Sequence, residues 1–393
     1  MTIHPYKNLL LLSLFLCGIV IVWGINRIPL PSARQNEPEK NGPEQYQSLK
    51  MDELKRQFRL PDRQAKPADS PLSPLFSLYD QNRFQELSGQ ITTLSAPQKN
   101  GAIHLLYGNA LVFLGKQEEA VAAYEQAYRT TDLPEEQAAA MANFGLLFSM
   151  RGAWKEGITW IERALILDRK MGDRRAEAAD LSILGTLYYQ SGDGTKGSET
   201  HLEALKIAES IGDRWLVARQ LTSIGNLYYL DHSYETALTY QQRALRLHRE
   251  IGNHLGEAVT LTSLGFIHKE LKEFDKALDY HSNALSLHRG WNDLPAQAND
   301  LVNLALIYQD QGEMEKAIGS AQEGLKIREG MADLAGMANI EGTIGTIYQD
   351  FGNLPEAIRH LEKSKELFQK GGASQQIHIV DQRIQTLRDR IQN

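Results

Sequence analysis

Apolar positions recur along most of this chain at spacings of three and four. Leu181, Leu184, Leu187 and Tyr188 form one such stripe. Leu202, Leu205 and Ala208 form a second, after the break at Ser191-Gly192-Asp193-Gly194. That periodicity predicts an amphipathic helix on each side of a turn. The arrangement then repeats every 40 residues, with units beginning at Ala138, Ala178, Ala218, Ala258, Ala298 and Ala338. One column is glycine in all but one unit: Gly145, Gly185, Gly225, Gly265, Ala305 and Gly345. Two further columns hold small residues, one through Gly157, Gly197 and Ala237, the other through Ala164, Ala204 and Ala244. A shorter unit precedes these, carrying Gly108, Gly115, Ala120 and Ala127. Close approach of two helices needs small side chains at the crossing. The largely aromatic column Phe148, Tyr188, Tyr228, His268, Tyr308 and Tyr348 is expected to fill the space beside them.

The junctions carry stop and start signals. Gly172-Asp173, Gly212-Asp213 and Gly252-Asn253 pair a helix-ending glycine with a capping residue. Asn292-Asp293 and Ala332-Asp333 keep the cap without the glycine. Each unit is therefore an antiparallel helix pair, and fixed-period repetition predicts a solenoid. Ile377, Val380, Ile384, Leu387 and Ile391 form a final stripe that suits a capping helix. Two heptads are too short to favour a coiled-coil seam.

A different pattern opens the chain. Residues 9–25 read LLLLSLFLCGIVIVWGI, 17 positions without a charge. At a rise of about 1.5 Å per residue the run spans about 26 Å, near the lower limit for crossing a bilayer. A retained single-pass anchor is the preferred reading, over a cleaved signal peptide or a lipoprotein signal at Cys17. Eight of the 13 prolines fall between Pro29 and Pro74, which reads as an extended spacer that allows a short helix around Gln45–Leu60. The expected organisation is tail and anchor at 1–28, Pro-rich stalk at 29–74 and degenerate leading helices at 75–100. A repeat array follows at 101–375 and a capping helix at 376–393. The short segment ahead of the anchor favours export of the body, so a single-pass membrane protein with an extracytoplasmic array is expected, periplasmic if the source is bacterial.

The columns Gly225, Tyr228, Ala237 and Ala244 with their equivalents resemble the tetratricopeptide repeat family. Lys276-Ala277-Leu278-Asp279-Tyr280-His281 followed by Ala284-Leu285 is similar to its 40-residue variety, found in polarity adaptors, kinesin light chains and bacterial scaffolds. The resemblance implies an all-α, right-handed superhelical solenoid of antiparallel helix pairs, here behind an N-terminal transmembrane helix. It also implies a concave groove lined by the first helix of each pair. Carried over by position, the groove residues are Asn109, Thr186, Tyr189, Arg219, Thr222, Asn226, Tyr229, Lys269, Glu270, Asn299, Gln309, Asp310, Gln349 and Asp350. Amides, hydroxyls and tyrosines of this kind suit the backbone of an extended peptide.

Charge and chemistry narrow the function. Residues 76–393 hold 32 basic and 42 acidic side chains, a net −10, which disfavours phosphate backbones. The single cysteine excludes a disulfide framework. No phosphate-binding loop and no His-Glu-x-x-His is present. The histidines His201 and His281 share one repeat column, and His248 and His288 another, which reads as structure rather than metal ligation. The expectation is a non-enzymatic, membrane-anchored scaffold that binds a protein or peptide partner in its groove and a bilayer through residues 9–25. No cofactor, metal, nucleic acid or small-molecule substrate is expected. The alternative is an accessory subunit of a cell-envelope assembly, packed permanently on its partner.

Overall fold

The computed structural model describes residues 51–53, 55–60, 73–95 and 100–392. The apolar run at 9–25 and most of the Pro-rich stretch lie outside these residues. Among the described residues no helix is long and apolar enough to cross a membrane. They form two compact units, one ending at Glu257 and one beginning at Ala258.

Among the described residues every element longer than a turn is an α-helix. Two leading helices are α1 (Ser73–Asp80) and α2 (Phe84–Thr93). Seven pairs follow: α3 (Gly101–Phe113) and α4 (Gln117–Thr130), α5 (Pro134–Met150) and α6 (Trp154–Met171), α7 (Arg174–Gln190) and α8 (Gly194–Ser210), and α9 (Arg214–Leu230) and α10 (Tyr234–Glu250). Then come α11 (His254–Glu270) and α12 (Phe274–Gly290), α13 (Leu294–Asp310) and α14 (Met314–Gly330), and α15 (Leu334–Asp350) and α16 (Leu354–Lys370). The last helix is α17 (Ser374–Gln392). It buries Val380, Ile384 and Leu387 and leaves Ile391 exposed, one dry face and one wet one.

The glycine column is filled by a different partner from the aromatic one expected above. A Cβ at Gly108 would fall within 2.4 Å of Tyr124, at Gly145 within 2.4 Å of Ile161, and at Gly185 within 2.6 Å of His201. Gln241 and His281 occupy the same place against Gly225 and Gly265. Each filler stands 16 positions after its glycine, on the second helix of the pair. Where the column holds Ala305 instead, the facing residue shrinks to Ala321, and both are fully buried. The extra methyl is thus offset by a smaller filler, as close packing requires.

The caps form at the junctions. Asp173 and Asp213 accept the amides of Ala176 and Leu216 at 2.9 and 3.0 Å. Gly172 ends α6 in the left-handed region at φ 75°. Ala332 holds the equivalent place at φ 52°, where a Cβ is costly. Ala332→Gly is expected to raise the stability of the second unit by about 1 kcal/mol, read as the shift of its urea midpoint at unchanged slope.

Candidate functional site

The first unit presents the first helices α3, α5, α7 and α9, and part of the expected stalk lies across them. Residues 51–53 and 55–60 do not hang free as a spacer. Met51 and Phe58 are buried in the core that includes Leu75, Tyr79, Phe84 and Phe113. The Phe58 ring meets Phe113 edge-on at 5.4 Å. Glu53 accepts from the Trp215 indole on α9 at 3.2 Å, and Arg56 lies over the same ring.

Arg59 is the centre of the arrangement. Its guanidinium makes a bidentate pair with Asp168 at 2.7 and 2.8 Å and reaches Asp180 at 3.3 Å. Both carboxylates are fully buried, while the Arg59 side chain keeps 18% of its exposure. The Arg59 backbone is held as well. Its N–H donates to Asn143 Oδ1 at 2.9 Å, and its carbonyl accepts from Asn143 Nδ2 at 3.0 Å and Asn109 Nδ2 at 3.2 Å. Asn109 Oδ1 in turn accepts from Tyr124 and Asn143, which fixes which end of each amide faces the segment. One side-chain amide thus pairs with both polar groups of one residue, as a neighbouring strand would.

The electrostatics follow from burial. Burial raises the Asp180 carboxyl well above its ordinary range; Arg59 opposes this and the neighbouring Asp168 reinforces it. Burial works against the Arg59 charge, but Asp180 and Asp168 outweigh it and push its pKa up. Arg219 is lowered by burial, partly offset by Glu53. Elsewhere in the array these two columns never pair two acids. The equivalents of Asp168 are Ala208, His248, His288 and Arg328; those of Asp180 are Gln220, Thr260, Asp300 and Ile340. His288 on α12 and Asp300 on α13 pair at 2.6 Å across adjacent repeats. In the first unit the same two columns, on α6 and α7, hold acids that cannot pair with each other in this way, and Arg59 neutralises them from outside the array.

Of the expected groove residues, Asn109 and Arg219 meet this segment, Asn109 by a hydrogen bond and Arg219 through the Glu53 charge. Asn143, Asp168 and Asp180 were not on that list. Thr186 and Thr222 turn their hydroxyls back to their own helix and toward His201 and His248. Asn226 accepts from Gln241 at 2.7 Å. Tyr189 is half-buried, and Tyr229 packs its ring near Tyr234. In the second unit the ends of successive first helices are linked at one offset. Lys269 pairs with Asp310 at 2.8 Å, and Gln309 donates to Asp350 at 2.5 Å. Asn299 accepts from Arg328 at 2.7 Å, while Glu270 and Gln349 are half-buried. Among the described residues no cluster of three His, Cys, Asp or Glu could hold a metal ion.

A series of helix hairpins with a small-residue column at each crossing defines a helical-repeat protein. The tetratricopeptide repeat family model matches residues 216–289 and 257–330, and a second tetratricopeptide repeat model matches residues 102–130. Residues 102–130 and 216–330 are thus tetratricopeptide repeats. A search of curated proteins gives no match. Among solved structures, a signal-transduction ATPase with a tetratricopeptide repeat sensor from Pyrococcus horikoshii is similar over 77% of this chain and 47% of its own, at TM-score 0.62 and 16% identity. A Rap protein complexed with competence and sporulation factor is similar over 81% of this chain and 97% of its own, at TM-score 0.55 and 14% identity. The apo quorum sensor NprR from B. thuringiensis is similar over 88% of this chain and 99% of its own, at TM-score 0.54 and 16% identity. At these identities the likeness is one of fold.

Proposed function

We propose that the protein is a scaffold that holds a short segment of a protein partner along the first helices of its pairs, and that it binds rather than catalyses. The observation that carries this reading is the segment already lying there, gripped by backbone and side chain together across the first helices α3, α5, α7 and α9 and by Asp168 of α6. Side-chain amides that satisfy the backbone of Arg59 give affinity, and pockets for the side chains give specificity. The complex of the Rap neighbour with competence and sporulation factor supports the reading by analogy of fold. Residues 9–25 are proposed to tether the array to a membrane, with the body on the extracytoplasmic side. Digestion of a C-terminal tag by protease added to intact cells tests that placement, and protection until lysis would reverse it.

The second unit supplies the test of partner binding. Lys269→Ala combined with Gln309→Ala removes one member from each inter-helix link. Co-purification of partner with the tagged full chain is expected to fall about tenfold, or about 1.4 kcal/mol. Helix content by circular dichroism should not change. Undiminished capture would remove these first helices from the binding surface.

A further inference from the structure

The first-unit pocket is built for one kind of side chain. Asp168 and Asp180 are fully buried, close enough to repel, and set where other repeats hold at most one acid. Two buried like charges need a cation between them. A guanidinium meets Asp168 with two parallel hydrogen bonds and still reaches Asp180. A lysine ammonium offers no such fork. Around this, Asn109 and Asn143 read the backbone of the residue that carries the charge, and Phe113 takes the ring of the residue before it. None of these contacts uses the sequence connection to the rest of the chain; a segment supplied from another molecule would satisfy them equally. The segment leaves a helical turn here, with the Phe58 N–H donating to the Lys55 carbonyl. The Asn, Asp and Phe side chains recognise a turn that presents an aromatic residue and then an arginine.

We propose that Asn109, Asn143, Asp168 and Asp180 form a recognition site for an arginine that follows a turn of a peptide, held shut by residues 55–60 and opened when a partner's arginine-bearing segment replaces them. This rests on the reading of the first helices as a peptide-binding surface. The occupied site is then a threshold. A partner binds only if its arginine segment outcompetes one tethered at high effective concentration. The net −10 of residues 76–393 favours approach of such a basic segment.

The test uses the purified full chain in mild detergent and a fluorescent peptide with the sequence of residues 50–62. Phe58→Ala with Arg59→Ala in the chain unseats its own segment. Anisotropy is expected to show the peptide binding this variant at least tenfold tighter than the wild-type chain. The same peptide carrying Arg59→Lys should bind the variant at least tenfold more weakly. Equal binding to both chains, no binding to either, or indifference to lysine overturns the proposal. A measurement on the wild-type chain does not depend on how the variant folds. The Arg59 amide, which donates to Asn143, should exchange its hydrogen at least 100-fold faster than the α7 amides of Leu184 and Leu187. Exchange in step with α7 would make residues 55–60 a permanent strap and overturn the proposal. Loss of capture in the Lys269→Ala, Gln309→Ala chain would then leave the scaffold reading standing alone.

Discussion

Arg59→Met lowers the stability of the first unit by about 3–5 kcal/mol at pH 7. This is the range for removing one partner of a buried ion pair. Methionine keeps the apolar stem and removes the charge, so Asp168 and Asp180 are left facing each other out of water. The loss is capped by the free energy of unseating residues 55–60, since the variant can release the segment and let water reach the acids. Its pH dependence identifies the cause. Asp180 already has a raised pKa with Arg59 in place, from burial first and then Asp168. A group whose folded pKa is raised stabilises the fold when protonated and loses that contribution as pH rises. The deficit of Arg59→Met is therefore largest at high pH and shrinks as pH falls toward the ordinary carboxylate range near 3.8. Urea unfolding at pH 8 and pH 5, followed through Trp154, Trp160 and Trp215 of the first unit, reads it. Adding Asp180→Asn should recover part of the loss, because Gln220 fills the same column in the next repeat. A deficit that is the same at both pH values would mean that packing, not charge, is what Arg59 supplies.

The repeat was legible in the sequence because helix periodicity, caps and small columns are local and recur every 40 residues. Asp173, Asp213 and Asp333 cap where the junction pattern put them. The identity of the filler opposite each glycine was not legible. Tyr188 stands one turn from Gly185 in sequence, but the residue that meets the glycine is His201 on the second helix. Periodicity fixes which face is apolar, not which side chain reaches across. The segment at 51–60 was hidden for another reason. Arg59 meets partners 50 to 121 positions away, and a Pro-rich stretch carries no periodicity that points to them. A signal existed in the departure from repeat symmetry. Asp168 and Asp180 place two acids in columns that elsewhere hold at most one, which calls for a cation from outside the repeat. Read position by position the column looks unremarkable; read as a pair it does not.

Lowering the pH from 7 to 5 should cost the fold about 2 kcal/mol for each of His201, His248 and His281. Burial holds His201 and His248 down to about 4 and His281 to about 3, against an ordinary 6.5. Gln220 opposes the shift at His201 and Glu257 at His248, while Lys269 reinforces it at His281. The sign follows directly. Below pH 6.5 the unfolded chain binds protons that these folded imidazoles refuse. Their contribution is full above 6.5 and drains away as pH falls toward 4 or 3. His281 gives the sharpest single test. It is fully buried against Gly265 and Phe266, and neither ring nitrogen has a partner among the described residues. Leu361 fills the equivalent space against Gly345, so His281→Leu has a precedent inside this chain. The substitution removes a buried N–H that has nothing to bond, so the second unit should gain stability even at pH 7. The gain should widen by about 2 kcal/mol at pH 5. Thermal unfolding of wild type and variant at the two pH values decides it. Parallel losses on acidification would show that His281 takes up its proton in the folded state, through a rearrangement that lets water reach it.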